Sequence, residues 1–195
     1  MEKEDAIAIV GIACRFPGAD DIDEFWEVLK NGEDHVQIIP KERWDTEAIN
    51  IQNLNDDWKP SASKSGLIKD SDKWDNKFFG ISDSEAGWMD PQQCLALEVT
   101  YSALEDGGFT KEKLKGTDTG VYIGLMNKDL TLGLNDASHE FTNFLVTGMA
   151  SSIVANRISY NFDIRGPSIT VDTACSSALV SIHLGSQAIK SGIIV

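Results

Sequence analysis

The stretch of sequence that decides the fold is GPSITVDTACSSAL, residues 166–179. Its β-branched residues predict a short strand over 167–171. Small residues follow, and a helix is predicted over 176–190, ending at Ser191-Gly192. The pattern is therefore a strand, a sharp turn and a helix, with Cys175 at or near the start of the helix.

This position gives Cys175 a chemical setting that favours nucleophilic attack. The unsatisfied N–H groups and the macrodipole at a helix start both favour the thiolate over the thiol. Small neighbours leave room for a substrate, and the backbone N–H of Cys175 can face an oxyanion formed on an acylated carbonyl. The turn is similar to a nucleophile elbow with sulfur in place of oxygen. The alternative for any single cysteine is a small buried apolar side chain, which is our expectation for Cys14 and Cys94.

The remaining chain alternates strands with helices, which predicts an α/β layered fold. Asp90 is expected to cap a helix with Pro91 at its first position and Gln93 as the reciprocal cap, and Gly107-Gly108 ends it. The further predicted elements are strands over 6–13 and 119–125, and helices over 21–31, capped by Asp21 with Glu24 and stopped by Gly32, and over 151–160.

Composition excludes several classes of protein. Hydrophobic residues make up 42% of the 195 residues and charged residues 25%, which rules out general disorder. The net charge of −14 argues against binding to nucleic acid or to anionic membranes. Three widely spaced cysteines without a Cys-x-x-Cys pair exclude a disulfide scaffold and a zinc ribbon, and indicate a reducing compartment. The acidic start and the short apolar stretch 6–14 lead us to expect a cytoplasmic protein.

Two stretches break the regular pattern. Residues 40–77 are irregular and carry Trp44, Trp58 and Trp74, which are expected to anchor the stretch or, alternatively, to form a ligand platform. Residues 193–195 continue as a β-branched run after a helix stop. This run is typical of a strand that begins, so we expect the chain to stop inside a domain.

Residues 171–179 resemble the active-site signature of the β-ketoacyl synthases, the condensing enzymes of fatty acid and polyketide synthesis. Further blocks resemble the ketosynthase domain of type I polyketide synthases, in family order along the whole chain. These blocks are IAIVGIACRFPGA at 7–19, FFGIS at 78–82, MDPQQ at 89–93, ANRISY at 155–160 and RGPS at 165–168.

The resemblance implies the thiolase-like fold, a layered αβαβα arrangement of two similar halves. Residues 1–195 would then be the N-terminal part of the domain, truncated at the C-terminus. The family also implies a homodimer. It binds no cofactor or metal directly, because its substrates are carried on the phosphopantetheine of an acyl carrier protein.

The family's reaction is a decarboxylative Claisen condensation. By resemblance, Cys175 is the catalytic residue that accepts an acyl group, and the enolate of a malonyl-type thioester then attacks it. The family decarboxylates with two histidines and a supporting lysine, which belong to the second half of the domain. We therefore expect this chain alone to be inactive, and the choice between fatty acid and polyketide product stays open.

The histidines of this chain do not fill that role. His183 lies eight residues after Cys175 and is expected to be a packed helix residue, while His35 and His139 are expected to be exposed without partners. Among charged residues in family-like motifs, a structural role is expected for all four: Asp90 as a cap, and Arg157, Arg165 and Asp172 as buried or half-buried pairing residues around the turn.

The chain departs from the pattern of the family that it resembles at two places. Cys94 stands where many carry Arg, which would remove a charge from a helix surface, and Ala178 stands where many carry Ser. A second hypothesis is a catalytically silent truncated remnant, or an interaction partner of a full-length synthase. A cysteine hydrolase or redox sensor would need a nearby histidine or resolving cysteine, and the sequence places neither close to Cys175.

Overall fold

The computed structural model describes residues 6–43, 63–129 and 143–194. The chain forms two compact units, one of residues 13–71 and a larger one of residues 1–12 with 72–195. Trp44, Trp58 and His139 lie outside the described residues.

The smaller unit contains one helix and two short strands. These are α1 (Ile22–Asn31), β1 (Val36–Ile38) and β2 (Lys64–Gly66), and the two strands pair antiparallel. The predicted ends of α1 are confirmed, because Asp21 accepts a hydrogen bond from the Glu24 N–H at 2.9 Å and Gly32 adopts a left-handed φ of 64°. The irregular character predicted for 40–77 is wrong at residues 64–66, which form β2.

The larger unit contains both helices and strands, as predicted. Its elements are α2 (Asp83–Ala86), α3 (Pro91–Asp106), α4 (Lys111–Leu114), β3 (Val121–Gly124), α5 (Leu145–Met149), α6 (Ser151–Phe162), β4 (Ser168–Val171) and α7 (Ser177–Lys190). Strands β3 and β4 are parallel, with Val121 opposite Ser168 and Gly124 opposite Val171.

The two faces of β3 contact different helices. Side chains alternate along a strand, and Val121 and Ile123 join the apolar cluster that α3 and α6 supply. Tyr122 and Gly124 lie instead against α7. The unit is therefore layered, with α3 and α6 on one side of the strands and α7 on the other, which confirms the predicted α/β class.

The core is formed where α3 and α6 pack together. Leu97 and Ile158 are the largest apolar side chains with essentially no exposure. Trp74 is half-buried against this cluster and stacks on Phe79 with ring centroids 6.0 Å apart, which confirms its expected role as an anchor.

A polar network crosses this packing and corrects the prediction for Gln93. The Gln93 side chain does not cap its own helix, because it donates to the Thr147 and Gly148 carbonyls at 3.0 and 2.8 Å. It also accepts from Arg157 Nε at 2.9 Å, while Arg157 Nη1 donates to Glu85 at 2.6 Å. The expected pairing of Arg157 is thus confirmed, whereas Arg165 is exposed, contrary to expectation.

The strand predicted over 6–13 is not formed among the described residues. Within the larger unit, residues 6–12 contact the end of α3, where the Ile12 N–H donates to Asp106 at 2.9 Å. A Cβ at Gly11 would lie 2.2 Å from the Ala103 carbonyl oxygen, so this contact needs glycine. Ile9 and Val10 are exposed, and β3 and β4 pair with each other rather than with this stretch.

Two glycines at the contact between β3 and α7 predict stability changes of opposite sign. A Cβ at Gly124 would lie 2.6 Å from backbone atoms of Ser177 and Ala178, so Gly124→Ala should destabilise the fold by about 1–3 kcal/mol. A Cβ at Gly185 meets only the Tyr122 ring at 3.5 Å, so Gly185→Ala should stabilise α7 by about 0.5–1 kcal/mol. Chemical denaturation of both variants measures the pair, and equal shifts would contradict the close contact at Gly124.

Candidate active site

Cys175 lies in the turn that joins β4 to α7. The strand ends at Val171 and the helix begins at Ser177, so residues 172–176 form the turn. The predicted strand, turn and helix are confirmed, and the thiol is exposed. No cysteine among the described residues is disulfide-bonded.

Hydrogen bonds from short polar side chains hold this turn. Ser177 Oγ accepts from the Thr173 N–H at 2.9 Å and donates to the Ala174 carbonyl at 2.7 Å. Ser176 Oγ donates to the Thr173 carbonyl at 2.8 Å, and Asp172 accepts from the Ala174 N–H at 3.0 Å. The structural role expected for Asp172 is confirmed, although its partner is backbone and its side chain is exposed rather than buried.

The backbone reverses sharply at Ala174. Its φ is +54°, in the left-handed region that alanine adopts only at a penalty of roughly 1–2 kcal/mol. The hydrogen bonds of Asp172, Ser176 and Ser177 fix residues on both sides of Ala174, which explains how the strained conformation is kept. The turn thus directs its polar side chains at its own backbone and leaves the Cys175 thiol exposed.

The backbone N–H of Cys175 has no hydrogen-bond acceptor among the described residues. It is located two residues before the start of a 14-residue helix, whose N-cap residue Ser176 makes no side-chain cap. A free N–H at such a position can donate to a negatively charged oxygen beside the thiol.

The carboxyl ends of both strands meet at this turn. Gly124, the last residue of β3, lies against the backbone of Ser177 and Ala178. The next residue, Leu125, donates its N–H to the Val171 carbonyl at 3.0 Å. Ligand sites of parallel α/β sheets lie at this edge of the strands.

The other two cysteines are in poorer positions for reaction. Cys94 is 5% exposed, and burial raises the pKa of its thiol to about 12. The expectation that Cys94 is a small buried apolar side chain is therefore confirmed, and position 94 does not lie on a helix surface as the comparison with the family's Arg had implied. Cys14 is half-buried rather than fully in a core, and its pKa is raised by burial first and by the charge of Asp21 second.

The described histidines differ from expectation. His183 is exposed on α7 rather than packed. His35 has a partner, because its Nε2 lies 3.0 Å from a carboxylate oxygen of Glu33. The hydrogen bond from Asn31 and then that from His35 lower the pKa of Glu33.

Neither a metal centre nor a membrane span is found in the part of the chain that the structure describes. No three His, Cys, Asp or Glu side chains there are grouped to hold a metal ion. The helices of the described residues are all too short or too polar to span a bilayer.

Sequence reasoning missed the residues that build the turn. Ser177 was expected only to leave room for a substrate, and Thr173 was given no role, but both take part in the internal hydrogen bonds of the turn. Gly124 was read only as part of a strand. The signal that could have found it is a glycine at the end of a predicted buried strand, which marks a close backbone approach.

Comparison with known proteins agrees with this geometry. The family model described as "Beta-ketoacyl synthase, N-terminal domain" matches residues 4–194. The chain is 42% identical over 191 residues to "Polyketide synthase 37" of Dictyostelium discoideum, covering 97% of this chain and 6% of that protein. It is 43% identical over 199 residues to "Polyketide synthase PksL" of Bacillus subtilis, covering 98% of this chain and 4% of that protein.

Solved ketosynthase structures share the fold. The oxazolomycin ketosynthase domain OzmH KS7 of Streptomyces albus matches with a TM-score of 0.80 and 36% identity, over 95% of this chain and 32% of that one. The ketosynthase from module 6 of the Bacillus subtilis bacillaene synthase matches with a TM-score of 0.79 and 35% identity, over 96% and 29%. The chain therefore belongs to the β-ketoacyl synthase family, and it corresponds to the N-terminal part of the thiolase-like fold of polyketide synthase ketosynthases.

Proposed function

We propose that Cys175 is the acyl-accepting nucleophile of a ketosynthase that extends an acyl chain by decarboxylative condensation. The observation that carries the proposal is the exposed thiol in a hydrogen-bonded turn, with its own N–H free at the start of α7. Buried Cys94 and half-buried Cys14 offer no comparable setting.

The first half-reaction uses groups that this chain provides. The Cys175 thiolate attacks the carbonyl carbon of an acyl thioester, forming a new C–S bond and a tetrahedral oxyanion. The Cys175 N–H donates a hydrogen bond to that oxygen. The intermediate collapses and the original C–S bond breaks, so that the phosphopantetheine sulfur departs as a thiolate and becomes a thiol by taking up a proton.

The second half-reaction needs groups beyond those described. A malonyl-type thioester loses carbon dioxide, and the resulting enolate carbon forms a bond to the acyl carbon on Cys175. The Cys175 thiolate then leaves, and the acyl chain is longer by two carbons. In the family, two histidines and a lysine support the decarboxylation, and we infer that they belong to a further part of the same domain.

The surface of α7 supports the existence of such a further part. Its small residues Ser177, Ser181 and Ala188 are buried on the side of the strands. Its large apolar residues point away from them, with Leu179 exposed by 72% and Ile182 by 65%. A helix with large apolar side chains on its outer face is typical of one that a second layer covers. We infer that residues 1–195 are the N-terminal part of a five-layered domain and are inactive alone.

The partners and setting follow from the family. The chain spans only 6% and 4% of the length of the two polyketide synthases named above. The substrates and partners given next are therefore proposals for the complete protein. We propose an acyl carrier protein with a phosphopantetheine arm as the substrate donor, a homodimer of the complete domain and a cytoplasmic location. A polyketide product is favoured over a fatty acid, because the relatives named are polyketide synthases.

The assignment of Cys175 predicts selective labelling. In the complete domain, an acyl thioester or iodoacetamide should modify Cys175, and Cys175→Ala should abolish both acylation and condensation. Cys94 should stay unmodified near pH 7.5, because its pKa of about 12 keeps the thiol protonated. Intact-mass and peptide mass spectrometry measure this, with Cys94→Ala as the matched control that keeps labelling. Modification of Cys14 or Cys94 with Cys175 untouched would contradict the assignment.

The domain assignment predicts that one double substitution has opposite effects in two contexts. Leu179→Ser with Ile182→Ser should reduce aggregation of residues 1–195 alone, because it removes exposed apolar surface. In the complete protein it should lower stability by about 1.5–3 kcal/mol per side chain, because both would be buried there.

Light scattering and thermal unfolding of the two forms measure these effects. Gln187→Ser is the matched control on the same helix, since Gln187 is polar and exposed. Unchanged stability of the complete protein after the double substitution would show that no second layer covers α7.

A further inference from the structure

Asp90 makes more contacts than a helix cap requires. It is 4% exposed, and one carboxylate oxygen, Oδ1, accepts from the Gln92 N–H at 2.9 Å, as an N-cap does. The other oxygen, Oδ2, accepts from the Asp129 N–H at 2.7 Å, 39 positions along the chain. The Gln92 side chain adds a hydrogen bond to the Asn127 carbonyl at 3.0 Å. The start of α3 is thus joined to residues 127–129.

The same helix start also binds a second stretch of the chain. The Asp90 N–H donates to the Gly148 carbonyl at 3.0 Å, and the Gln93 side chain donates to the Thr147 and Gly148 carbonyls. A Cβ at Gly148 would lie 1.7 Å from the Trp88 carbonyl oxygen, so the contact is a close backbone approach. Residues 127–129 and 147–148 are therefore fixed to one rigid helix end.

Residues 125–129 begin beside the nucleophile turn. Leu125 is hydrogen bonded to Val171 at the end of β4, and Gly124 before it touches the start of α7. Met126 follows with 49% of its surface exposed. The stretch thus runs from the edge of the Cys175 turn to the Asp90 carboxylate, and it is held at both ends by hydrogen bonds.

We propose that Asp90 and Gln92 are positioning residues of the acyl site, which hold residues 125–129 as a wall beside Cys175. Met126 is the side chain that this wall presents to the acyl group. Neither Asp90 nor Gln92 contacts the reacting atoms, so they act through residues 125–129. The inference rests on the proposed function of Cys175. It assigns to Asp90, Gln92 and Met126 a role in selecting which acyl group Cys175 accepts.

The chemistry of the site requires a carboxylate at position 90. Two separate N–H donors approach its two oxygens, and a carboxylate accepts at both. Asparagine has the same shape but only one acceptor oxygen, so one N–H would face the amide NH₂ group and lose its partner. Asp90→Asn is therefore a small change that removes one of two hydrogen bonds: the one from the Gln92 N–H, which caps α3, or the one from the Asp129 N–H, which holds residues 125–129.

The test measures acyl selectivity in the complete ketosynthase domain. The ratio of kcat/KM for Cys175 acylation with a short and a long acyl thioester, acetyl and octanoyl, is compared between parent and variants. Asp90→Asn and Gln92→Leu should each change this ratio by about 3–10-fold, mainly through KM. Iodoacetamide should still alkylate Cys175 within twofold of the parent rate, because this small reagent does not reach along the wall.

Two further variants keep the test decisive. Asp21→Asn changes the N-cap aspartate of α1, which accepts one N–H from its own helix, and should leave the ratio unchanged. Met126→Ala leaves every hydrogen bond of Asp90 and Gln92 in place and should shift the ratio in favour of the longer acyl group. It also tests the wall if Asp90→Asn fails to fold.

The outcomes separate this inference from the proposed function. If Gln92→Leu and Met126→Ala keep the parent's ratio of kcat/KM for the acetyl and octanoyl thioesters while Cys175 is still acylated, the proposal that residues 125–129 select among acyl groups is wrong. If Asp90→Asn and Gln92→Leu lower the rates with both thioesters and with iodoacetamide equally, Asp90 and Gln92 have only a structural role, and the proposal is also wrong. Failure of the parent enzyme to be acylated at Cys175 overturns the proposed function instead.

Discussion

The contact on which the site depends is the close approach of α7 to β3 at Gly124. Because Gly124 has no side chain, the backbone of Ser177 and Ala178 lies directly on the end of the strand. This contact fixes where the helix begins, and so fixes the turn that carries Cys175 at the edge where both strands end. Any larger residue would move the helix start away from the sheet, and the thiol and its N–H with it.

The turn places conformational strain next to Cys175, the residue that we propose as the nucleophile. Ala174 holds a left-handed conformation that would relax in an isolated peptide. The hydroxyl of Ser177 prevents this by bonding to Thr173 on one side and to the Ala174 carbonyl on the other. The side chains of Asp172, Ser176 and Ser177 are therefore used to hold backbone, and the Cys175 sulfur is left exposed.

The sequence predicted what depends on neighbours along the chain. The strand, turn and helix around Cys175, the caps at Asp21 and Asp90, and the stops at Gly32 and Gly107 are all local patterns, and they are confirmed. Gln93 was misread because its partners Arg157 and Thr147 lie more than fifty residues away. The strand predicted over 6–13 was wrong for the same kind of reason, since an apolar run does not reveal whether a neighbouring strand is available to pair with it.

The two faces of α7 connect stability with chemistry. Its small residues allow the close approach to β3, while Leu179 and Ile182 extend outward from the first turns of the same helix. A layer that covers these side chains would also exclude water from the helix start. Hydrogen bonds to a developing oxyanion are stronger where water is absent, because the local dielectric constant is lower. The second layer that we propose would therefore also strengthen the proposed hydrogen bond from the Cys175 N–H to the oxyanion.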